Sequence, residues 1–528
     1  MRFLILFAFG LSGAAALIYE VTWMRALSLV FGSTTYALST MLSTFMAGLA
    51  LGGYIGGLIA DKRKNLLAIF GLMELGIGIF GLVTIPMINY LSAKYLNIYN
   101  ALYEEPSMYF TVQFLLCAGI MLIPTTLMGA TFPVVSRRIT DSIDEMGREV
   151  GRAYSINTFG AILGSFSAGF ILIPLLGVKL STIIAASLNV IVALGMIFLS
   201  KARIKGAVAA VLFIAFSAPL AAAIVSYEDN WTANYYNAFR FKNYNEFIAE
   251  MEGSELLFNR DYTEGRVRLW RDRTGFLILQ SGGKFEGSIV DYANTHLLSY
   301  LPIASHRNPR SFLLIGLGIG DTLSAAKESV HDVSLVEINK GVVEALREFG
   351  PRGLLDGVGV KINDARNHLL LTKKKYDIIT SGPSYPTESS SGNLFTREFY
   401  EIAVSHLNPG GIYCQSVPYY LLSNDDVTML IKTFGSVFEH VYLWKVSSQT
   451  LDRILIGSNE PFSFSREEII KRTRNLNRYD KPLPFEISRS PEQIKEIIRT
   501  RDDIPLNTDD KPYIEFHAAR NVLTGARD

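Results

Sequence analysis

The chain has 528 residues, of which 49% are hydrophobic, and a formal net charge of +1. That balance gives no basic field for nucleic acid, and the two cysteines and seven histidines form neither a disulfide framework nor a metal-ligand spacing. The length allows more than one domain, and the apolar excess sits almost wholly before residue 230.

Arg2 and the apolar run 3–17 look like the start of a signal peptide, but no A-x-A site leads into a soluble chain and more apolar stretches follow. Runs long enough to span a bilayer, roughly 20 apolar residues each, recur at about 4–20, 36–60, 66–92, 108–136, 153–176, 181–200 and 206–226. Seven membrane spans are therefore expected. Residues 21–33, with Trp23 and Arg25, read either as an interfacial helix or as a continuation of the first span.

Basic residues are unevenly shared between the two sets of loops. One set carries Arg2, Lys62, Arg63, Lys64, Arg137, Arg138, Arg148, Arg152, Lys201, Arg203 and Lys205, and the other carries Arg25, Lys94 and Lys179. The first set is expected in the cytoplasm of an inner-membrane protein, and seven spans then put the C-terminal domain outside. Gly52, Gly53, Gly56 and Gly57 offer small residues for close helix approach. The run GGYIGGLIADKRKN also looks like a loop motif of major-facilitator transporters. Glu20, Glu74 and Asn157 are the main polar groups at membrane depth, each a site or a structural hydrogen-bonding group.

After residue 227 the composition turns charged and aromatic. The runs RVRLWRD and GFLILQSGG predict a small antiparallel β subdomain. A strand at 312–315 then leads through Gly316, Gly318 and Gly320 into a helix. These glycines permit a tight turn and close approach of a ligand to the backbone. A second strand ends in Glu337, placed to accept from the hydroxyls of a ribose. Asp364 ends a third strand, 376–380 is a fourth, and GGIYCQSV is a fifth after an NPGG turn. The alternation predicts a mostly parallel Rossmann-like sheet, and SGPSYPTESSSGNLFTREFY reads as a lid over its carboxyl edge. The expected domains are a transmembrane helical region 1–228, a connector and β subdomain 229–300, and the α/β domain 301–528.

The order G-x-G-x-G, VEIN, NDAR, YDII, P-x-x-P, GNLFTREFYE and NPGGI over about 260–440 resembles spermidine synthases. The segments SGAAALIYEVTWMRALSLVFGS, GRAYSINTFGAILGS and NTDDKPYIEF are similar to bacterial chains that fuse a hydrophobic region to such a domain. The resemblance implies a polyamine aminopropyltransferase, with S-adenosylmethionine or its decarboxylated form as donor and no metal. It implies Gly316, Gly318 and Gly320 along the thioether tail, Glu337 on the ribose, and Asp364 and Ala365 on the adenine. A homodimer is a further expectation from it.

Three acids of the family's pattern are absent, their positions being Ile319, Gly382 and Tyr385. Asp321 and Glu388 stand close by in sequence and are candidates to compensate. Tyr385, Glu388, Lys284 and Glu264 are the candidate catalytic residues, and Glu286, Asp291, His296, Gln415 and Tyr420 the candidate substrate contacts. The partners expected are the lipid bilayer and a small amine or an exported acceptor. Two other readings stay open. One is an outward-facing enzyme that modifies or cyclises an exported peptide or glycan, without a nucleoside, through Lys284, Glu264 or Tyr385. The other is a transporter or sensor with a repurposed nucleoside-binding domain.

Overall fold

A computed structural model describes residues 1–102, 105–200, 243–287, 292–383, 385–446, 452–465 and 485–524, with a few isolated positions between them. They form two compact units, one from Met1–Leu102 and Ser107–Ile248, the other from Tyr103–Pro106 and Ala249–Asp528.

The first unit contains α1 (Arg2–Phe31), α2 (Thr35–Lys62), α3 (Leu66–Leu102), α4 (Pro106–Ile139), α5 (Met146–Ser167) and α6 (Ile173–Leu199). Five helices are long and apolar enough to cross a membrane, the fifth being the stretch Ile143–Leu199. The two spans expected there are arms of that stretch, broken at Gly177, whose φ of 78° leaves the helical region. Residues 21–31 continue the first helix. The expected seventh span, 206–226, lies outside the described residues apart from isolated positions.

Side-chain pairings give the directions of the helices. Trp23 Nε1 donates to Thr84 Oγ1 at 2.9 Å, and Ser12 Oγ to Glu74 Oε1 at 2.5 Å, so α1 and α3 run parallel. Gly160 lies against Gly10 and Gly164 against Ala14, so α5 runs parallel to α1. Gly71 faces Ala193 and Ile197 while Gly78 faces Ala186, so α6 runs back along α3. The end of α6 therefore lies at the end of the bundle where α1 begins. Arg2 pairs with Asp141 there, so the basic loop residues that follow α2 and α4 gather at this one end.

Close packing explains only half of the glycine pattern. Gly52 and Gly56 press on the α4 backbone at Thr126 and Ala130, whereas Gly53 and Gly57 face open space. Glu74 is fully buried, and its second oxygen accepts from Asn189 Nδ2 at 2.6 Å. It thus ties α1, α3 and α6 together. Asn157 Nδ2 donates to the Phe9 carbonyl at 2.9 Å, tying α5 to α1. Glu20 is half-buried.

In the second unit, after α7 (Tyr244–Met251), comes an antiparallel sheet of β1 (Glu255–Tyr262), β2 (Gly265–Arg271), β3 (Leu277–Ser281) and β4 (Lys284–Gly287) in chain order. Then α8 (Tyr292–Ser305) leads into an eight-stranded sheet ordered β12-β10-β11-β9-β8-β5-β6-β7. Its parallel part is β5 (Ser311–Ile315), β6 (Asp332–Glu337), β7 (Gly359–Ile362), β8 (Tyr376–Ser381) and β9 (Leu407–Val417). These are the five strands expected. β5 is buried along its whole length, as a strand covered on both faces must be.

The helices between the strands are α9 (Asp321–Lys327), α10 (Lys340–Phe349), α11 (Ala365–Leu371) and α12 (Arg397–Ser405), followed by α13 (Asn424–Gly435). An edge of β11 (Arg453–Ser458), β10 (His440–Lys445) and β12 (Glu486–Arg489) extends the sheet antiparallel from β9. The chain ends in α14 (Pro491–Thr500) and α15 (Tyr513–Thr524).

The chain passes from β5 to β6 and β7 on one side, then crosses to β8 and β9 on the other. The crevice between the carboxyl ends of β5 and β8 is therefore the switch point where such sheets bind ligands. Asp377, the acid of YDII, lies at the opposite edge. It accepts from the Arg310 and Ser311 amides at 2.8 and 3.0 Å and from Asn408 Nδ2 at 2.8 Å, so it clamps β8 to β5 and to the NPGG turn.

Candidate active site

The glycine turn closes directly on β5. Gly316, Gly318 and Gly320 have φ of 83°, 53° and 91°, which a side chain would strain. A Cβ on Gly316 would meet Pro383 of the lid at 3.2 Å, and one on Gly318 would meet the Glu286 carbonyl at 3.1 Å. The turn thus lies between the lid after β8 and the β3–β4 hairpin.

Glu337 ends β6 beside this turn and is 7% exposed. One of its oxygens accepts from the Leu317 amide at 2.7 Å, the other from the Asn339 amide at 2.8 Å. Burial pushes its carboxyl up, and these two bonds pull it only part of the way back. Each oxygen keeps a further lone pair beside these two bonds. Asn339 also caps α10 through Gly341 and reaches Ser281 Oγ at 3.0 Å, which holds the small sheet against the large one.

Asp364 caps α11, accepting from the Asn367 amide at 2.9 Å, and Ala365 is buried behind it. The glycine turn, Glu337 and Asp364 therefore stand at the ends of three adjacent strands, β5, β6 and β7. Arg366 of the same NDAR run turns away and forms a two-pronged pair with Asp509 at 2.7 and 2.8 Å.

A second cluster lies beside the first. Lys284 Nζ is 2.9 Å from Glu388 Oε2 on the lid and 3.2 Å from Glu286 Oε1, and stands 5.4 Å from the centre of the Tyr385 ring. Burial opposes the charge on Lys284, but the two carboxylates outweigh it and hold the ammonium above the ordinary lysine range. The Tyr385 hydroxyl donates to the Phe285 carbonyl at 3.4 Å. Charges on Glu286 and Lys284 also act on Glu337, so the two clusters share one crevice.

The other candidates are dispersed. Glu264 is exposed in the β1–β2 turn. Asp321 accepts from Thr295 Oγ1 of α8 at 3.3 Å. His296 is buried beside Tyr300 on α8, and Tyr420 is half-buried after β9. Asp291 lies outside the described residues. Gln415 is fully buried at the end of β9, where its amide donates to the Leu394 carbonyl at 3.2 Å and its oxygen has no partner. Thr387 on the lid is also buried with an unpartnered hydroxyl. Such orphaned atoms at the strand ends suit a polar ligand.

Sequence reasoning missed how the lid is braced. Asn507 of NTDDKPYIEF donates to the Phe395 carbonyl at 3.0 Å, accepts from the Ile514 amide at 3.1 Å, and its own carbonyl receives the Arg397 amide at 3.0 Å. The only signal for this in the sequence was the motif itself.

Comparison with known proteins accords with this geometry. Residues 292–458 match the model of the spermine/spermidine synthase domain. Polyamine aminopropyltransferase 2 of Aquifex aeolicus is 21% identical, over 90% of this chain and 91% of its own length. A polyamine aminopropyltransferase of Oceanobacillus iheyensis is 24% identical over 83% and 79%. That of Methanocaldococcus jannaschii is 34% identical over 32% of this chain and 65% of its own. The crystal structure of spermidine synthase from Thermotoga maritima aligns at 19% identity over 46% of this chain and 84% of that one, with a TM-score of 0.34. The first two alignments extend into the apolar half. Residues 292–458 are thus similar to the spermine/spermidine synthase domain, and in this chain they follow a bundle of long apolar helices.

Proposed function

We propose that this protein is a membrane-anchored aminopropyltransferase that takes decarboxylated S-adenosylmethionine as donor and an amine as acceptor. The observation that carries the reading is the placement of the glycine turn, Glu337 and Asp364 on three consecutive strand ends, with an ion cluster against the same turn. The similarity to chains named polyamine aminopropyltransferase supports it.

In this reading Glu337 holds the ribose and the glycine turn makes room for the thioether tail. The Asp364–Ala365 corner borders the adenine. The acceptor nitrogen attacks the methylene carbon attached to the sulfonium sulfur. A C–N bond forms as the C–S bond breaks, and the bonding pair goes to sulfur, leaving a neutral thioether. The acceptor must first lose a proton, and Glu286, the more exposed of the two acids around Lys284, is placed to take it and pass it to solvent.

The charge distribution of the bundle supports one orientation. Basic residues gather at the end where α1 begins, and α6 returns to that end. With that end cytoplasmic and no further crossing after α6, the α/β domain would share the side where its donor is made. A seventh crossing by 206–226 would place it outside instead.

The test uses the full chain in detergent, with the donor and a mixture of amines, followed by mass spectrometry. 5′-Methylthioadenosine should accumulate with an amine heavier by one aminopropyl group, and Glu337→Ala should abolish both. Absence of nucleoside binding would sink the reading. A C-terminal alkaline phosphatase fusion that is active outside the cell would point to an exported acceptor.

A further inference from the structure

We propose that the Lys284 ammonium occupies the place of an acceptor's far ammonium, so that the protein uses monoamines with an uncharged far end and rejects diamines. This rests on the aminopropyltransferase reading and names its acceptor class.

Three observations carry the inference. First, the positions where the resembled family carries acids for its cationic substrates and the donor amine are Ile319, Gly382 and Tyr385 here, and none bears a charge. Second, Glu286 and Glu388, two acids beside the glycine turn, both bind an ammonium that belongs to the chain, at 3.2 and 2.9 Å. That ammonium also lies over the Tyr385 ring, which stands at one of the emptied acid positions. Third, Lys284 is largely buried, with its side chain 15% exposed, and Glu388 is held on a lid segment braced by the C-terminal residues. The pairing is therefore part of the wall of the crevice.

The charge count follows from this. With Glu337 assigned to the ribose, the cluster holds two carboxylates and one ammonium among the described residues, so Lys284 already cancels one of the two charges that could receive an acceptor's ammonium groups. A diamine brings a second ammonium that must either go unpaired in a buried site or displace Lys284. An unpaired buried charge is strongly disfavoured. Displacement is also uphill, because a tethered group competes at an effective concentration far above that of a free amine.

The experiment compares two acceptors of the same length, n-butylamine and 1,4-diaminobutane, with the full chain in detergent and decarboxylated S-adenosylmethionine as donor. The wild type should show kcat/KM at least about tenfold higher for the monoamine, the equivalent of about 1.4 kcal/mol. Lys284→Met, which fills the space but frees both carboxylates, should shift the ratio by about tenfold or more toward the diamine. Calorimetric binding of 5′-methylthioadenosine checks that each protein is folded and tests the donor site separately. A wild type that prefers the diamine overturns the proposal and needs no variant. So does a Lys284→Met protein that binds the nucleoside and changes both amines equally, since Lys284 would then only latch the lid. Nucleoside binding with turnover of neither amine sinks the acceptor assignment alone. Failure of the wild type to bind the nucleoside sinks the donor reading with it.

Discussion

Both halves of this protein bury a carboxylate, and they do it by opposite means. Glu74 in the bundle is held by Ser12 and Asn189, which lie 62 and 115 residues away along the chain. Glu337 in the α/β unit is held by the amides of Leu317 and Asn339, 20 and 2 residues away. In the bundle the acid joins distant helices, and its partners are side chains that a neighbouring helix must deliver. In the site the acid is fixed by the local turn, which leaves lone pairs for a ligand. A buried carboxyl is thus a packing device in the bundle and, in the proposed reading, a prepared acceptor in the other half.

The largest effect should come from removing the prepared acceptor. In the proposed reading Glu337→Ala would remove two charge-assisted bonds to a ribose, each worth roughly 1.5–3 kcal/mol. Binding of 5′-methylthioadenosine should fall by about a hundredfold or more, as read by calorimetry. Because burial raises this carboxyl above its ordinary value of 4.5, binding should weaken on acidification earlier than for an exposed acid. The sign follows from the ligand: ribose hydroxyls donate to the ionised form, so protonation removes their acceptor. Affinity that stays flat across the mildly acidic range would take Glu337 out of the nucleoside site.

The comparison also accounts for what could be read from the sequence. Gly316, Gly318, Gly320, Glu337 and Asp364 were legible because a turn, a strand end and a helix cap are local patterns. Lys284 and Glu388 were each legible as polar groups near the mouth. Their pairing was not, because it depends on the β3–β4 hairpin meeting the lid. In sequence Asp377 reads as part of a strand, and its clamp across β5 and Asn408 depends on the sheet order. The antiparallel edge of β10 to β12 was not foreseen either, since strand direction at a sheet edge leaves no mark in hydrophobic pattern. In the bundle, Gly52 and Gly53 look equivalent in sequence, and only the position of α4 separates them.

That pair of glycines gives the next test. A side chain at Gly52 would collide with the Thr126 carbonyl and the Ala130 amide, whereas Gly53 faces open space. Overpacking typically costs about 1–3 kcal/mol. Gly52→Leu should lower the melting temperature of the detergent-solubilised chain clearly, and Gly53→Leu should leave it nearly unchanged. Equal effects would remove α4 from the Gly52 face.

A smaller effect is expected at Asp426, which anchors the C-terminal helix. It accepts from Ser423 Oγ at 2.7 Å and Asn521 Nδ2 at 2.6 Å and pairs with His517 Nδ1 at 2.7 Å. The Asp426 bond raises the His517 pKa, so this stabilisation is full below 6.5 and is lost as pH rises through the raised value. Burial works against the Asp426 charge, but its hydrogen bonds outweigh burial and depress its pKa. Its contribution is therefore present above 3.8 and is lost in stronger acid. Asp426→Ala should cost about 2 kcal/mol. Hydrogen exchange in α15 should accelerate and should no longer depend on the titration of His517. Unchanged protection of α15 would mean that the helix is held by its apolar face alone.

The smallest change sharpens the comparison most. Glu74→Gln keeps an acceptor for Ser12 and a group that an amide flip of Asn189 can meet, so a packing device should lose little, about 1 kcal/mol or less by the scale of hydrogen bonds between membrane helices. Glu74→Leu removes both bonds and should cost about 1–2 kcal/mol. Transferase turnover should follow the folded fraction in both variants. If Glu74→Gln kept its melting temperature but lost a solute flux or the turnover itself, the charge of Glu74 rather than its bonds would matter, and the bundle would have a functional carboxylate of its own.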